Sequence, residues 1–304
     1  MRLFGSLVLG AAVLFGGAVR ADELAVIDRP ITLPAGAVEA MIRSDISNWD
    51  FDNTDALTGA TLGASVDFGI TSGVQLGLAV VAPIAPGAGF GSIYASAAFA
   101  LGRAAALRLD AGYERFGFNG TGADQAGANS NTVFGGVGVP IKVPITSTLA
   151  FVSGSTGAMN FAHFTNVGSN GTGLYLGANT IGSEGADLIS VESGNGVNGG
   201  NDNSGVAISV NLPVGLMFQP DPHFAITLRT GYSAAISLPS DSSGNEAYHF
   251  IPVGLDVVVS PVKLLDIGAS FALAGYVGNT GGSADPGINY ADIRAFSVWA
   301  RARF

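Results

Sequence analysis

The three histidines, His163, His223 and His249, are the side chains best suited to act as a general base in this chain. A serine nucleophile needs such a base within hydrogen-bond reach. No serine in the sequence pairs convincingly with any of the three. Residues 231–235 depart from the nucleophile-elbow pattern, because they lie inside a strand pattern and not at a strand-to-helix turn. We therefore predict no catalytic site.

A glycine pattern at residues 194–199 matches the dinucleotide-binding fingerprint. It neither follows a clear strand nor opens a helix, so we interpret it as part of a glycine-rich loop. The absence of cysteine excludes disulfides and thiolate metal sites. We predict no cofactor and no metal.

Charged residues recur inside segments of alternating hydrophobicity, on the face opposite the apolar one. Their neighbours on that face are largely Gly, Ala and Ser, which would leave space for water. The alternative is that charges of both signs neutralise one another in a network that rigidifies the wall. The candidate pore-lining residues are Glu39, Arg43, Asp45, Asp67, Arg108, Asp110, Glu114, Lys142, Arg229, Asp256, Asp266, Arg301 and Arg303.

Acidic residues dominate the predicted loops. They would concentrate cations at one mouth and disfavour nucleic acid; alternatively, they only keep the surface soluble. They are Asp50, Asp52, Asp55, Asp124, Glu184, Asp187, Glu192, Asp202, Asp241, Glu246 and Asp285.

Alternation with period two is the main structural signal. Between residues 206 and 218 every second residue is Val, Ile, Leu or Phe, over a length that suits a tilted membrane strand. The same test predicts strands near 36–47, 59–70, 74–83, 91–101, 105–117, 131–143, 148–158, 205–218, 224–236, 248–259, 264–277 and 288–304.

Twelve is an even number, as a closed up-and-down barrel requires if both termini lie on one side. Connections alternate between short turns and longer polar segments, whereas a Greek-key sandwich mixes connection lengths. Leu174 and Leu176 also alternate, so a barrel of fourteen strands stays open as an alternative. We predict an all-β, closed, antiparallel transmembrane barrel with short periplasmic turns and long outer loops.

The N-terminus has an apolar stretch from Leu3 to Val19 and a small-residue cleavage pattern ending at Ala21. We predict a signal peptide over 1–21, a periplasmic lead-in over 22–35 and a barrel over 36–304. The mean hydropathy of +0.42, with 12% charged residues, indicates that something other than water contacts the outside of the barrel.

The last strand presents Phe296, Val298, Ala300, Ala302 and Phe304 on one face. This resembles the assembly signal of bacterial outer-membrane β-barrel proteins, including the porins. The resemblance implies an outer-membrane location, insertion by the barrel-assembly machinery, and contact with outer-membrane lipid and lipopolysaccharide.

Two functions follow as hypotheses. The first is passive diffusion of small hydrophilic solutes or ions, with a mild cation preference. The second is a structural or adhesive barrel whose lumen is closed by the loop near 159–204. Because a barrel leaves no strand edge unpaired, we also predict that Arg301 or Arg303 forms a salt bridge with Asp266 or Glu39 where the last strand meets its neighbours.

Overall fold

The computed structural model describes residues 25–49, 57–85, 92–119, 126–153, 171–177, 205–239, 246–281 and 293–304. They are all-β apart from a short 3-10 turn at Val26–Asp28. No helix in these ranges is long and apolar enough to cross a membrane. The predicted signal peptide and the acidic loop positions lie outside the described residues, except Glu246, which begins a strand.

Fourteen strands are described in these ranges. Each of the twelve predicted ranges overlaps at least one of them. They are β1 (Val38–Trp49), β2 (Leu57–Thr71), β3 (Val74–Ala85), β4 (Ser92–Ala100), β5 (Ala106–Asn119), β6 (Ala126–Gly138), β7 (Ile141–Pro144), β8 (Leu149–Ser153), β9 (Gly171–Gly177), β10 (Gly205–Asp221), β11 (Phe224–Pro239), β12 (Glu246–Val262), β13 (Leu265–Gly281) and β14 (Ile293–Arg303).

The two faces of each strand differ as the alternation predicts, because successive side chains of a strand point to opposite sides of the sheet. In β10, Leu212 and Leu216 are about half exposed, whereas Met217 on the opposite face is buried. The apolar face is the exposed one, here called the outer face, and the polar face is the buried one, here called the inner face. This is the reverse of a water-soluble sheet protein.

Strand pairing follows the chain. Neighbouring strands pair antiparallel from β1 to β6 and from β10 to β14, and β14 pairs with β1. The hydrogen-bonded order therefore runs from β11 to β14, continues from β1 to β6, and reaches β10 through β9. A further antiparallel pairing joins β10 to β11, the first strand of that order.

The predicted strand at 131–143 is interrupted. Proline has no backbone N–H, and Pro140 lies between the end of β6 and the start of β7. The Ala106 amide donates to the Pro140 carbonyl at 3.1 Å, and the Lys142 amide donates to the Ala104 carbonyl at 2.8 Å. Thus β7 continues the line of β6 beside β5.

The gap between β6–β7 and β10 holds two short strands. β8 pairs antiparallel with β7 and β10, and β9 pairs parallel with β6 and β10. β9 is the exception to the antiparallel pattern. An unpaired strand edge leaves backbone N–H and C=O groups without partners, and β9 supplies partners where β8 has ended. The rest of the loop predicted near 159–204 lies outside the described residues.

Five short connections lie at one edge of the sheet, here called the short-turn end: 72–73, 101–105, 145–148, 222–223 and 263–264. Gly102, with a φ of 112°, supplies a backbone conformation that side chains disfavour. The chain terminus joins this end, because the Val38 and Phe304 amides donate to each other's carbonyls at 3.0 and 2.8 Å.

Candidate functional site

Twelve of the thirteen charged residues predicted to line a pore have described side chains, and these share the inner face. Ten of them are buried, and Asp45 and Arg303 are partly exposed. Glu114 lies in β5, but its side chain is outside what the structure describes. The ten are Glu39, Arg43, Asp67, Arg108, Asp110, Lys142, Arg229, Asp256, Asp266 and Arg301.

Four of these residues form an ion-pair cluster where β14 meets β1 and β13. Arg303 lies 2.7 Å from Glu39 and 2.8 Å from Asp266. Arg301 lies 2.8 Å from Asp266 and 3.6 Å from Glu39. The salt bridge predicted for these residues is confirmed, and both arginines take part.

The register explains this cluster. Arg303 is directly opposite Glu39, and Arg301 is directly opposite Asp266. Residues two apart on a strand share a face, so both arginines point inward from β14. Because opposite charges in facing positions stabilise antiparallel pairs, the cluster ties the last strand to both of its neighbours.

Sequence reasoning missed a fifth member of the cluster, Arg29. Its Nη1 donates to Asp266 Oδ2 at 2.7 Å and its Nη2 to Oδ1 at 3.0 Å. Ser260 also donates to Asp266 Oδ1, at 2.6 Å. Asp266 therefore accepts hydrogen bonds from Arg29, Arg301 and Ser260 and forms an ion pair with Arg303, while its side chain is fully buried.

Burial lowers the pKa of Arg29 from its ordinary value, and the positive charge of Arg303 acts in the same direction. The hydrogen bond and the negative charge of Asp266 oppose both effects. The ordinary guanidinium pKa is so high that Arg29 stays charged at neutral pH.

Three further ion pairs lie on the inner wall. Arg43 and Asp45 are 2.5 Å apart, and Arg108 and Asp110 are 2.7 Å apart. Each of these pairs sits two residues apart on one strand, so both members share the inner face. The third pair, Arg229 and Asp256 at 2.5 Å, joins β11 to β12.

Two neutral residues of the inner wall were also missed. Gln75 donates to Asp67 Oδ1 and accepts the Leu33 amide, both at 2.9 Å. Gln219 accepts the Ile27 amide at 2.9 Å. Both glutamines occupy the inward register of their strands, which was a usable signal in the sequence.

Residues 25–37, here called the inner segment, lie against this wall. Val26, Ile27, Ile31 and Thr32 are buried. Lys142 Nζ donates to the carbonyls of Val26 and Arg29 at 2.8 and 2.5 Å. The lead-in predicted over 22–35 therefore contacts the inside of the sheet, at least from residue 25 onward.

An apolar cluster surrounds the start of the inner segment. Val26 and Ile27 pack with inward side chains of six strands. The sequence indicated that small inward residues leave open space, but in the described part of this end long side chains and the inner segment fill it. The wall members of the cluster are Met41, Ala150, Val152, Met217, Ala225, Val258 and Trp299.

The histidines do not form a reactive constellation where the structure describes them. His223 lies in a turn, where its amide donates to Asp221 Oδ1 and its Nδ1 is 2.7 Å from the Ser260 carbonyl. His249 lies in β12, and His163 is outside the described residues. In the described ranges, no cluster of three or more His, Cys, Asp or Glu side chains could hold a metal ion.

No protein-family model matches the sequence, and no curated protein matches it. The chain is similar to the β domain of the Bordetella autotransporter BrkA, at 13% identity over 88% of this chain and 100% of that chain, with a TM-score of 0.44. It is also similar to the translocator domain of the autotransporter NalP from Neisseria meningitidis, at 11% identity over 88% of this chain and 87% of that chain, with a TM-score of 0.40.

The KdgM porin is 9% identical over 86% of this chain and 99% of that chain, with a TM-score of 0.35. These three solved structures are bacterial outer-membrane β-barrels. Identities and TM-scores this low assign no function. The strand pairing and the burial pattern given above define the fold.

Proposed function

We propose that the chain is a bacterial outer-membrane β-barrel that passes small hydrophilic solutes or ions through its charged interior. In this proposal the barrel is closed and has twelve strand positions, with β6–β7 sharing one position and β8 and β9 sharing another. The short-turn end faces the periplasm. Residues 1–21 are a signal peptide that is removed during export.

The observation that carries this proposal is the inverted distribution of polar and apolar side chains. A row of outward apolar residues crosses consecutive strands in register: Leu228 opposite Leu255, Leu255 opposite Phe271, and Phe271 opposite Phe296. All four are more than two-fifths exposed. A continuous exposed apolar surface is unusual in water, whereas lipid contact satisfies it.

The inner face supports transport of polar solutes, because its charges of both signs would be costly in a fully apolar core. Acidic and basic side chains are nearly balanced there. The interior therefore does not by itself favour cations. The proposed mild cation preference rests on the acidic loop residues of the sequence.

A second candidate, a structural barrel without transport, has a specific observation in its favour. The inward charges pair with one another, and the Arg108–Asp110 and Arg229–Asp256 pairs are buried. A wall stiffened by internal ion pairs needs this arrangement. In the described residues, the inner segment lies against the wall at the short-turn end, and most of the loop near 159–204 lies outside the described residues.

The first experiment tests the architecture. Protein refolded into detergent or lipid should show a β circular dichroism spectrum, and unboiled protein should migrate differently from boiled protein on a denaturing gel. A helical spectrum would contradict the barrel. Membrane fractionation, with and without depletion of the assembly machinery, tests the remaining proposals. These are the outer-membrane location, the contacts with lipid and lipopolysaccharide, and insertion by that machinery.

The second experiment tests transport. Refolded protein in a planar bilayer should give conductance steps, and the reversal potential in a salt gradient should show a mild cation preference. Arg108→Gln should strengthen that preference by leaving Asp110 without its inward positive neighbour. Leu109→Gln, on the adjacent outward position, is the matched control and should leave selectivity unchanged. Absence of steps in every folded variant contradicts the channel.

A further inference from the structure

We propose that the inner segment, residues 25–37, is a lid that closes the short-turn end of the barrel, and that its residues 25–33 can leave the opening without disrupting the wall. The lid's effect on transport rests on the channel proposed above. The position of the segment inside the barrel does not depend on that function.

The inner segment spans the interior from one side to the other. It contacts Gln219 on β10, Lys142 on β7, Asp266 on β13 and Gln75 on β3. No two of these four strands are paired with each other, and at least one other strand lies between any two of them in the pairing order. A segment that touches inward side chains on such distant strands must lie across the opening that they surround.

The wall holds residues 25–33 of the lid through side chains, whereas residues 36 and 37 are bonded through their backbone to Gly69 of β2. The ammonium of Lys142 binds two carbonyls of the segment, and the amide oxygens of Gln75 and Gln219 each accept one of its N–H groups. The 3-10 turn at its start belongs to no sheet. Departure of residues 25–33 would therefore leave the described strand ladders intact.

The lid also has two different faces. Val26 and Ile27 point into the apolar cluster, whereas Asp28, Pro30 and Pro34 are exposed. An apolar inner surface and a wet outer surface are what a cover at the end of a barrel needs. Because only a few large apolar side chains anchor it, loss of its polar contacts should release it.

Close approach of the lid to the wall depends on Gly69. A Cβ added at this residue would overlap the carbonyl of Pro34, and its other nearest atoms also belong to the lid backbone. The Gly36 amide donates to the Gly69 carbonyl at 2.7 Å. Gly69→Ala should therefore displace the segment, whereas at Gly73 an added Cβ meets only Ala100 Cβ, at 3.8 Å.

The test uses the natural absence of cysteine. Ile27→Cys and Asp28→Cys are made separately in the full refolded barrel, and the rate of maleimide labelling is measured. The cysteine at position 27 should label at least tenfold more slowly than the one at position 28, because Ile27 is buried and Asp28 is exposed. Equal labelling rates at the two positions would contradict the proposal that the segment is bound inside the barrel.

Two independent changes should then release the segment in the Ile27→Cys background. Lys142→Met with Gln219→Leu removes wall partners of Val26, Ile27 and Arg29, and each lost buried hydrogen bond should favour the open form by about tenfold. Gly69→Ala should accelerate labelling by steric displacement, and Gly73→Ala should not. If labelling stays slow in both folded release variants, the segment is a fixed plug and the proposal is wrong.

Conductance of the same variants separates the lid from the channel. If both proposals hold, released variants conduct more often than the parent. Faster labelling of the release variants, with no conductance in any variant, supports the lid and contradicts the channel. Equal conductance in the parent and the release variants, with slow labelling in all of them, supports the channel and contradicts the lid.

Discussion

Arg303 on the last strand lies 2.7 Å from Glu39 on the first strand. The two residues are directly opposite each other in the antiparallel register, so this contact joins the first and the last of the described strands. Asp266 and Arg301 extend it to the preceding strand, and Arg29 attaches the inner segment to it. One cluster thus connects three strands and the segment that lies across them.

Asp266→Asn should destabilise the barrel strongly. Three arginines would lose a buried carboxylate, and breaking a buried ionic network typically costs about 3–5 kcal/mol. The measurement is urea unfolding in lipid vesicles. Ser270→Ala is the control, because the Ser270 hydroxyl lies on the same inner face of β13 without a hydrogen-bond partner in the described structure. Equal unfolding midpoints for the two variants would show that the cluster is not structural.

Gly268→Ala should destabilise the barrel because the ring of Trp299 occupies the space of the missing side chain. The two residues are cross-strand partners, and an added Cβ would overlap the indole. Overpacking of this kind costs about 1–3 kcal/mol. Gly254→Ala, where the nearest atoms are 3.4 Å away, should be milder. In the double variant with Trp299→Ala the penalty of Gly268→Ala should shrink, and strictly additive effects would contradict the contact.

Leu255→Arg should impair membrane insertion. Leu255 is outward and exposed in the middle of β12, and an arginine at the lipid midplane costs about 2–4 kcal/mol. Val262→Arg, at the short-turn end of the same strand, should cost about 0–1 kcal/mol because it lies near the interface. The folded fraction in vesicles, read from the gel shift, gives the comparison. A larger defect for Val262→Arg would place the membrane elsewhere on the barrel.

Arg229→Met should be more harmful than the joint change of Arg229→Met and Asp256→Leu. The single change leaves a buried carboxylate without the arginine 2.5 Å away, at a typical cost of about 3–5 kcal/mol, whereas replacing both partners is often close to neutral. Urea unfolding of both variants measures the difference. A single-variant cost below about 1 kcal/mol would show that water reaches this pair.

Much of the sheet was predictable because a strand's two faces depend only on the parity of its residues. The alternation in 206–218 and 224–236 predicted the β10–β11 hairpin and its outward row without knowledge of any contact. The partners of Arg301 and Arg303 were predictable for a related reason. Once a sheet is assumed to close, the last strand has two fixed neighbours and a fixed direction.

The sequence by itself thus determined most of the residues that form strands, which side of those strands is apolar, and which charges meet where β14 pairs with β1. The tertiary structure decided where chain segments without a strong period go. Residues 25–37 lack an alternating pattern, and only the enclosed space bounded by Lys142, Gln219 and Gln75 gives them a place. Likewise, the edges of β6 and β10 decide that β9 lies between them in parallel, because every non-proline residue offers the same backbone N–H and C=O groups and the local sequence therefore does not identify the partner strand.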